Sequence, residues 1–293
     1  MSHGSGAAEL AGGLDLSEAE RVVYTALAED LGDPPRDVTS EATIPAGQVD
    51  TAELVARADG VVAGLPVAAQ VFAATSGGTA RFEQIKDEGD RVRRGDVLAV
   101  ITGPTRALLT AERTALNLIS RMSGVATHTR RWADALDGTK ATVLDTRKTT
   151  PGLRVLEKYA VRAGGGTNKR MGLYDVAMIK DNHKLAAGGI TAAYRLVRER
   201  FPEVAVQVEV TTVAEAREAV EAGATFLLCD NMTPALLRDV VEAVGDRAEL
   251  EATGNLTLET AAEYAATGVD YLSVGGLTHS SPILDIALDL RTR

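Results

Sequence analysis

At 293 residues, with 31 Lys+Arg against 41 Asp+Glu and a formal charge of −10, the chain is too acidic for a general nucleic-acid binder, whose basic face would have to dominate. It can form one large domain or two ordinary ones, and its 45% hydrophobic and 25% charged residues are those of a soluble globular protein. No apolar run is long enough to span a bilayer. The single cysteine, Cys229, excludes an internal disulfide and a cysteine metal cluster, so a reducing cytoplasm is the expected compartment.

The opening MSHGSGAAEL lacks the basic-then-apolar pattern of a signal peptide and reads as a flexible tail. Ser17–Leu31 reads as a helix begun by a capping box of Ser17 and Glu20. Strand-like runs follow at 52–59, 78–85 and 96–103, with a helix expected over 64–74 and turn chemistry over 89–96. This α+β stretch offers no catalytic constellation of its own. A long helix is predicted from Thr105 to Met122, with Leu108, Leu109, Leu116 and Ile119 at helical spacing.

After Gly124 the rhythm changes. Strand-like runs at 141–146, 175–180, 204–210, 225–230, 248–253 and 270–274 alternate with amphipathic helices at 191–201, 212–222, 233–244 and 257–267. Such alternation predicts a parallel sheet, either a barrel or an open doubly wound sheet. The unusual polar and glycine positions fall at strand carboxyl ends. They are Asp145, Arg147 and Lys148, then Lys180, Glu209, Asp230, Thr253-Gly254 and Gly275-Gly276. In a β/α barrel that end is the active-site face. Turns are polar in any case, but a succession of six strand ends favours a site.

The segment from Asp145 to His183 concentrates Lys and Arg in an otherwise acidic chain. Arg147, Lys148, Arg170 and Lys180 suit one cleft for a small, densely anionic ligand, Arg as a bidentate fork and Lys as a movable point charge. Arg154, Lys158 and Arg162, spaced along one helix face, read as solvated or locally paired. Gly164-Gly165-Gly166 is either a phosphate nest or simply a tight loop. Glu209 and Asp230 suit Mg²⁺ held between protein and substrate phosphates; the plainer alternative is polar strand ends salt-bridged to lysines. Gly254 and Gly275 stand where backbone N–H groups bind phosphate. His183 and His279 fall at the same face and His128 in a helix, but no His pair has chelating spacing, so zinc is not expected. There is no G-x-S-x-G elbow. Cys229, in the run FLLCD, reads as a buried packing residue rather than a nucleophile.

DVTS (37–40), ERTALNLISRMSG (112–124), DTRKTTPGLRVLEKYAVRAGGG (145–166), IKDNH (179–183), VEV (208–210), CDN (229–231) and VDYLSVGGLTHSSPILDIALDL (269–290) together resemble the quinolinate phosphoribosyltransferases. The resemblance implies an N-terminal α/β sandwich (9–124, joined by 281–293) and an open seven-stranded α/β barrel of the TIM-like kind (125–280). It implies transfer of phosphoribosyl from 5-phosphoribosyl-1-pyrophosphate to quinolinate with decarboxylation, in a homodimer or a hexamer built of dimers. Arg113, which sequence alone would leave on the surface, is then expected to reach the partner subunit's substrate. Arg147, Arg170 and Lys180 are expected to clamp the two carboxylates, with Lys169 also among the substrate-binding residues. Lys148 is placed near the ribose and diphosphate. Glu209 and Asp230 act around Mg²⁺ and the ribose hydroxyls, and Thr253, Gly254, Gly275 and His279 hold the 5′-phosphate side.

Two positions depart from the family pattern. Lys169 stands where most members have histidine, and Thr211 where aspartate is usual. They leave open a paralogue acting on another pyridine carboxylate, such as the relative associated with molybdate transport clusters. Arg147, Arg170 and Lys180 speak for a dicarboxylate acceptor instead. A non-catalytic phosphosugar-binding protein is the remaining alternative.

Overall fold

The computed structural model describes residues 13–291; the opening MSHGSGAAEL lies outside them. Two compact units are present. One comprises the chain up to Arg130 with Thr149–Gly165 and the residues from Leu277 on; the other comprises Arg131–Lys148 and Gly166–Gly276.

In the first unit, α1 (Leu16–Leu31) buries Ala19, Val22, Val23 and Leu27 along one stripe, the pattern of a helix packed by one face. Its cap is Asp15, whose carboxylate accepts from Ser17 N at 3.0 Å and Glu18 N at 3.2 Å. The Ser17/Glu20 capping box is therefore not what starts it, because Ser17 already lies inside the first turn. A short α2 (Val38–Thr43) follows, capped by Asp37. Strands β1 (Val49–Ala56), β3 (Arg81–Gln84), β5 (Val97–Pro104) and β12 (Ile286–Leu290) pair antiparallel in the order β12-β1-β5-β3. The last strand of the chain thus lies beside β1. A two-stranded ribbon, β2 (Gly60–Val61) with β4 (Arg91–Val92), accompanies them. Helix α3 (Leu65–Ser76) begins where the buried Glu88 carboxylate accepts from Gly64 N and Leu65 N, each at 2.8 Å.

Helix α4 (Thr105–Ala135) runs well past the predicted stop at Met122. Gly124 does not end it. A Cβ there would lie 2.1 Å from the Pro282 carbonyl oxygen, so this glycine answers a close backbone approach rather than a break. The next helix, α5 (Arg154–Ala163), explains part of the glycine run. A Cβ at Gly164 would meet the Ala126 carbonyl at 2.4 Å, and Gly165 has φ +86°. Along α5 the three basic residues are locally engaged rather than solvated. Arg154 Nε donates to Thr149 Oγ1 at 3.0 Å, Lys158 is 1% exposed, and Arg162 lies over the Tyr159 ring.

In the second unit, β6 (Thr142–Leu144), β7 (Val176–Ile179), β8 (Ala205–Val210), β9 (Phe226–Asp230), β10 (Glu249–Thr253) and β11 (Tyr271–Ser273) form one parallel sheet. Its order is β6-β11-β10-β9-β8-β7. The first strand pairs with the last, which is how a barrel curls back on itself. On the free side of β6, Thr167 makes a single-residue parallel bridge to Leu144. The seventh strand is reduced to that bridge, and hydrogen bonding stops between it and β7, which is what makes the barrel open.

Helices follow each strand from β7 on: α6 (Asp181–Ala187) and α7 (Ile190–Arg200), then α8 (Val213–Glu221), α9 (Pro234–Val244), α10 (Leu258–Ala265) and the short α11 (Gly276–His279). Threonines stand at the N-cap of three of them, Thr212, Thr233 and Thr257; Thr212 Oγ1 accepts from Glu215 N and Thr233 Oγ1 from Leu236 N. Glu209 and Asp230 are thus each followed within a few residues by a capped helix.

Candidate active site

Strand periodicity builds the site. In β8, Val206, Val208 and Val210 alternate with Gln207 and Glu209, and all five are buried. Parallel register sets Met178 beside Gln207, Glu209 beside Leu228, and Leu228 beside Glu251. Registered neighbours in a sheet share a face, so Gln207, Glu209 and Glu251 line one face. Buried carboxylates and amides need partners, and here they have them. Glu251, 0% exposed, accepts from Lys169 Nζ at 2.6 Å on one oxygen and from Gln207 Nε2 at 2.6 Å on the other.

The loop from Thr167 to Met171 is pinned at both levels. Asp145, fully buried at the end of β6, accepts from Asn168 Nδ2 at 2.6 Å and from Lys169 N at 2.8 Å. Arg170 Nη1 then donates to the Val176 carbonyl at 3.0 Å. Burial lowers the Arg170 pKa, and Arg147 pushes it the same way. Lys169 is also lowered, first by burial and further by Arg170 and Lys180, while Glu251 opposes the shift. Arg170 therefore feels Arg147, and Lys169 feels Arg170 and Lys180. Lys148 is exposed at the end of the same segment.

Lys180 stands at the start of α6, its Nζ 3.5 Å from Glu209 Oε2 and its side chain 52% exposed. His183 accepts the Lys180 N–H through Nδ1 at 3.0 Å. A residue the sequence reading left aside, Lys184, braces the floor beneath. Its Nζ donates to the Glu209 carbonyl and to Glu215, each at 3.1 Å, and pairs with Asp181 at 2.7 Å. Thr211 is bound to Glu215 Oε2 through its N–H at 2.7 Å and its hydroxyl at 2.8 Å.

At the next two strand ends, Asp230 accepts from Asn231 Nδ2 at 2.9 Å, and Asn255 Nδ2 donates to Asn231 Oδ1 at 3.3 Å. Asn231 N also donates to the Thr253 carbonyl at 2.9 Å. A Cβ at Gly254, where φ is +96°, would lie 2.2 Å from Asn231 Oδ1. Asn231 thereby ties Asp230, Thr253 and Gly254 together. Gly275 follows β11. Cys229 is fully buried, and burial pushes its thiol up to about 12, so it packs rather than attacks.

Two expected site residues belong to the first unit. Arg113 is exposed on α4, and His279 is exposed at the end of α11, its Nδ1 2.6 Å from Ser280 Oγ. The segment carrying His279 is held by Arg121, which donates to the carbonyls of Thr278 and Ser281 and pairs with buried Glu157 at 2.7 Å. Glu157 in turn accepts from Thr150 N at 2.9 Å.

Arg121, Glu157, Asn231, Lys184, Gln207 and Glu251 were not singled out from the sequence. The available signal was the alternation in VQVEV, which places two polar side chains on one face of a strand otherwise made of valine. Among the described residues no group of three or more His, Cys, Asp or Glu could hold a metal by itself. No helix among them is long and apolar enough to cross a membrane.

Comparison with known proteins agrees with this fold. The family description "Quinolinate phosphoribosyl transferase, C-terminal domain" matches residues 125–289 and its N-terminal counterpart residues 37–123. The chain is 46% identical over 281 residues to a carboxylating nicotinate-nucleotide pyrophosphorylase of Mycobacterium leprae, covering 94% of this chain and 98% of that one. It is 44% identical to a probable enzyme of the same name from Bacillus subtilis, with 89% and 90% covered. The crystal structure of NadC from Streptococcus pyogenes superposes with a TM-score of 0.90 at 36% identity, covering 95% of this chain and 99% of that one. The chain belongs to the quinolinate phosphoribosyl transferase family.

Proposed function

We propose that the strand ends of the second unit bind quinolinate and 5-phosphoribosyl-1-pyrophosphate and join them. The chain catalyses phosphoribosyl transfer to quinolinate with decarboxylation, giving nicotinate mononucleotide, pyrophosphate and carbon dioxide. The observation that carries the site assignment is the gathering of Arg147, Arg170 and Lys180 around the ends of β6, β7 and β8, where Lys180 Nζ lies 3.5 Å from Glu209 Oε2 and Arg147 bears on Arg170. Cations packed this closely repel, and a ligand bearing several negative charges relieves the repulsion.

Arg147, Arg170 and Lys180 clamp the two carboxylates of the acceptor, holding its ring nitrogen toward the anomeric carbon. The bond from that carbon to the diphosphate breaks and a bond to the ring nitrogen forms, the centre passing through oxocarbenium character. Glu209 and Asp230 stabilise that charge, and Lys148 meets the departing diphosphate. The ring nitrogen is then positive. It absorbs the electron pair released when the adjacent carboxylate leaves as carbon dioxide, and the ring carbon takes a proton from water. Positioning and fixed charge do this work, without a covalent enzyme intermediate. The glycine backbones at Gly254 and Gly275, with Thr253, suit the 5′-phosphate.

Glu209 and Asp230 fit a hard cation. Both are oxygen donors on neighbouring strands, and Mg²⁺ takes one or two carboxylates and draws its other ligands from water and substrate phosphate. Bound there, Mg²⁺ would neutralise charge on the diphosphate. In a homodimer the exposed Arg113 is available to the partner subunit's substrate. The buried, unreactive thiol suits a reducing cytoplasm. The test is nicotinate mononucleotide formation from both substrates with Mg²⁺ and with EDTA: product only with the metal supports the assignment, and undiminished product in EDTA overturns the metal.

A further inference from the structure

Lys169 has a cation's charge but not a free cation's position. Its side chain is 9% exposed, and its Nζ lies 2.6 Å from Glu251 Oε1. Glu251 is 0% exposed and is held on its other oxygen by Gln207, itself fully buried. An ionised carboxylate left alone on this face would oppose an incoming dianion and offset one of the clamp's cations. The ammonium of Lys169 cancels that charge in place. Its own backbone N–H is spent on Asp145 at 2.8 Å, so the residue is fixed from two sides immediately before Arg170.

We infer that Lys169 is a positioning residue, acting on the acceptor through Glu251 by cancelling its charge, rather than by touching the acceptor's carboxylates. This rests on the assignment of Arg147, Arg170 and Lys180 as the carboxylate clamp. It separates the clamp from the neighbouring lysine: three cations bind, and one balances an internal acid.

The experiment uses the full chain and three variants, K169M, E251Q and K169M/E251Q, with kcat and the KM of each substrate measured separately. K169M exposes the uncompensated carboxylate, and its quinolinate KM rises about tenfold or more while the KM for 5-phosphoribosyl-1-pyrophosphate stays within about threefold. K169M/E251Q removes both charges, and its quinolinate KM returns to within about threefold of the parent. E251Q alone leaves the cation in place and does not weaken quinolinate. A folded double variant whose quinolinate KM stays raised tenfold overturns the inference, because Lys169 then meets the substrate itself. The double variant decides the matter even if K169M fails to fold, with thermal unfolding as the check on both. Arg147→Ala, run in parallel, keeps the two readings apart. An unchanged quinolinate KM in that variant removes the clamp, whatever Lys169 does.

Discussion

Asn231 sits at φ +52°, a region that costs an ordinary L-residue about 1–2 kcal/mol and that asparagine tolerates better than most. Its amide also steadies Asp230. The two roles separate by substitution. Asn231→Gly keeps the backbone at ease and loses the amide, whereas Asn231→Ala loses both. Urea unfolding should place the alanine variant about 1 kcal/mol below the glycine variant, while both share the same fall in kcat. Equal stabilities would show that the backbone is not strained there. Arg147→Ala should lower kcat/KM for quinolinate by about 2–5 kcal/mol, the usual effect of unpairing a buried charge contact; turnover near the parent's would remove it from the clamp. The sequence pointed to Arg147, Lys180 and Asp230 because charge at a strand end is visible in one dimension. It could not point to Glu251, which looks like any strand glutamate until the register with Leu228 turns it inward. Nor could it tell whether the ammonium of Lys169 faces ligand or Glu251.

At the scale of elements, helix α4 is where local signals misled. A glycine inside a helical pattern reads as a stop, yet Gly124 is in mid-helix because another backbone passes 2.1 Å from where its Cβ would be. Gly124→Ala gains roughly 1 kcal/mol in helix propensity but forces the Pro282 segment to move, and overpacking of this kind costs about 1–3 kcal/mol. Chemical unfolding should therefore show net loss of stability, and a gain would mean the approach relaxes freely. Helix α3 has a different dependence. Burial raises the pKa of Glu88 from 4.5, against the N–H groups of Gly64 and Leu65, which lower it. A carboxyl whose folded pKa is raised contributes stability below its unfolded pKa and loses it as pH rises through the folded value. Glu88→Gln cannot ionise, so the stability of the parent relative to this variant should fall as pH rises from about 4.5. Melts recorded across pH 4–8 would show a flat difference if the carboxylate were fully compensated.

For the whole molecule, the alternation of strands and helices after Gly124 was enough to predict a parallel α/β sheet, since that rhythm has few three-dimensional solutions. Closure was not legible. It depends on β11 returning beside β6 and on the one-residue bridge at Thr167, which are pairings between distant segments with no local signature. The same limit applies to β12, whose place beside β1 joins residues more than two hundred positions apart. The site inherits this logic: each strand delivers one or two groups to one end, and only the sheet order says which of them meet.

The proposed role of this cluster of cations is to select a dicarboxylate pyridine as phosphoribosyl acceptor. The most direct test offers quinolinate and nicotinate in parallel, with 5-phosphoribosyl-1-pyrophosphate and Mg²⁺, and follows carbon dioxide and mononucleotide together. Equimolar carbon dioxide and nicotinate mononucleotide from quinolinate, with no mononucleotide from nicotinate, is the predicted result. Turnover of nicotinate with quinolinate inert would contradict it.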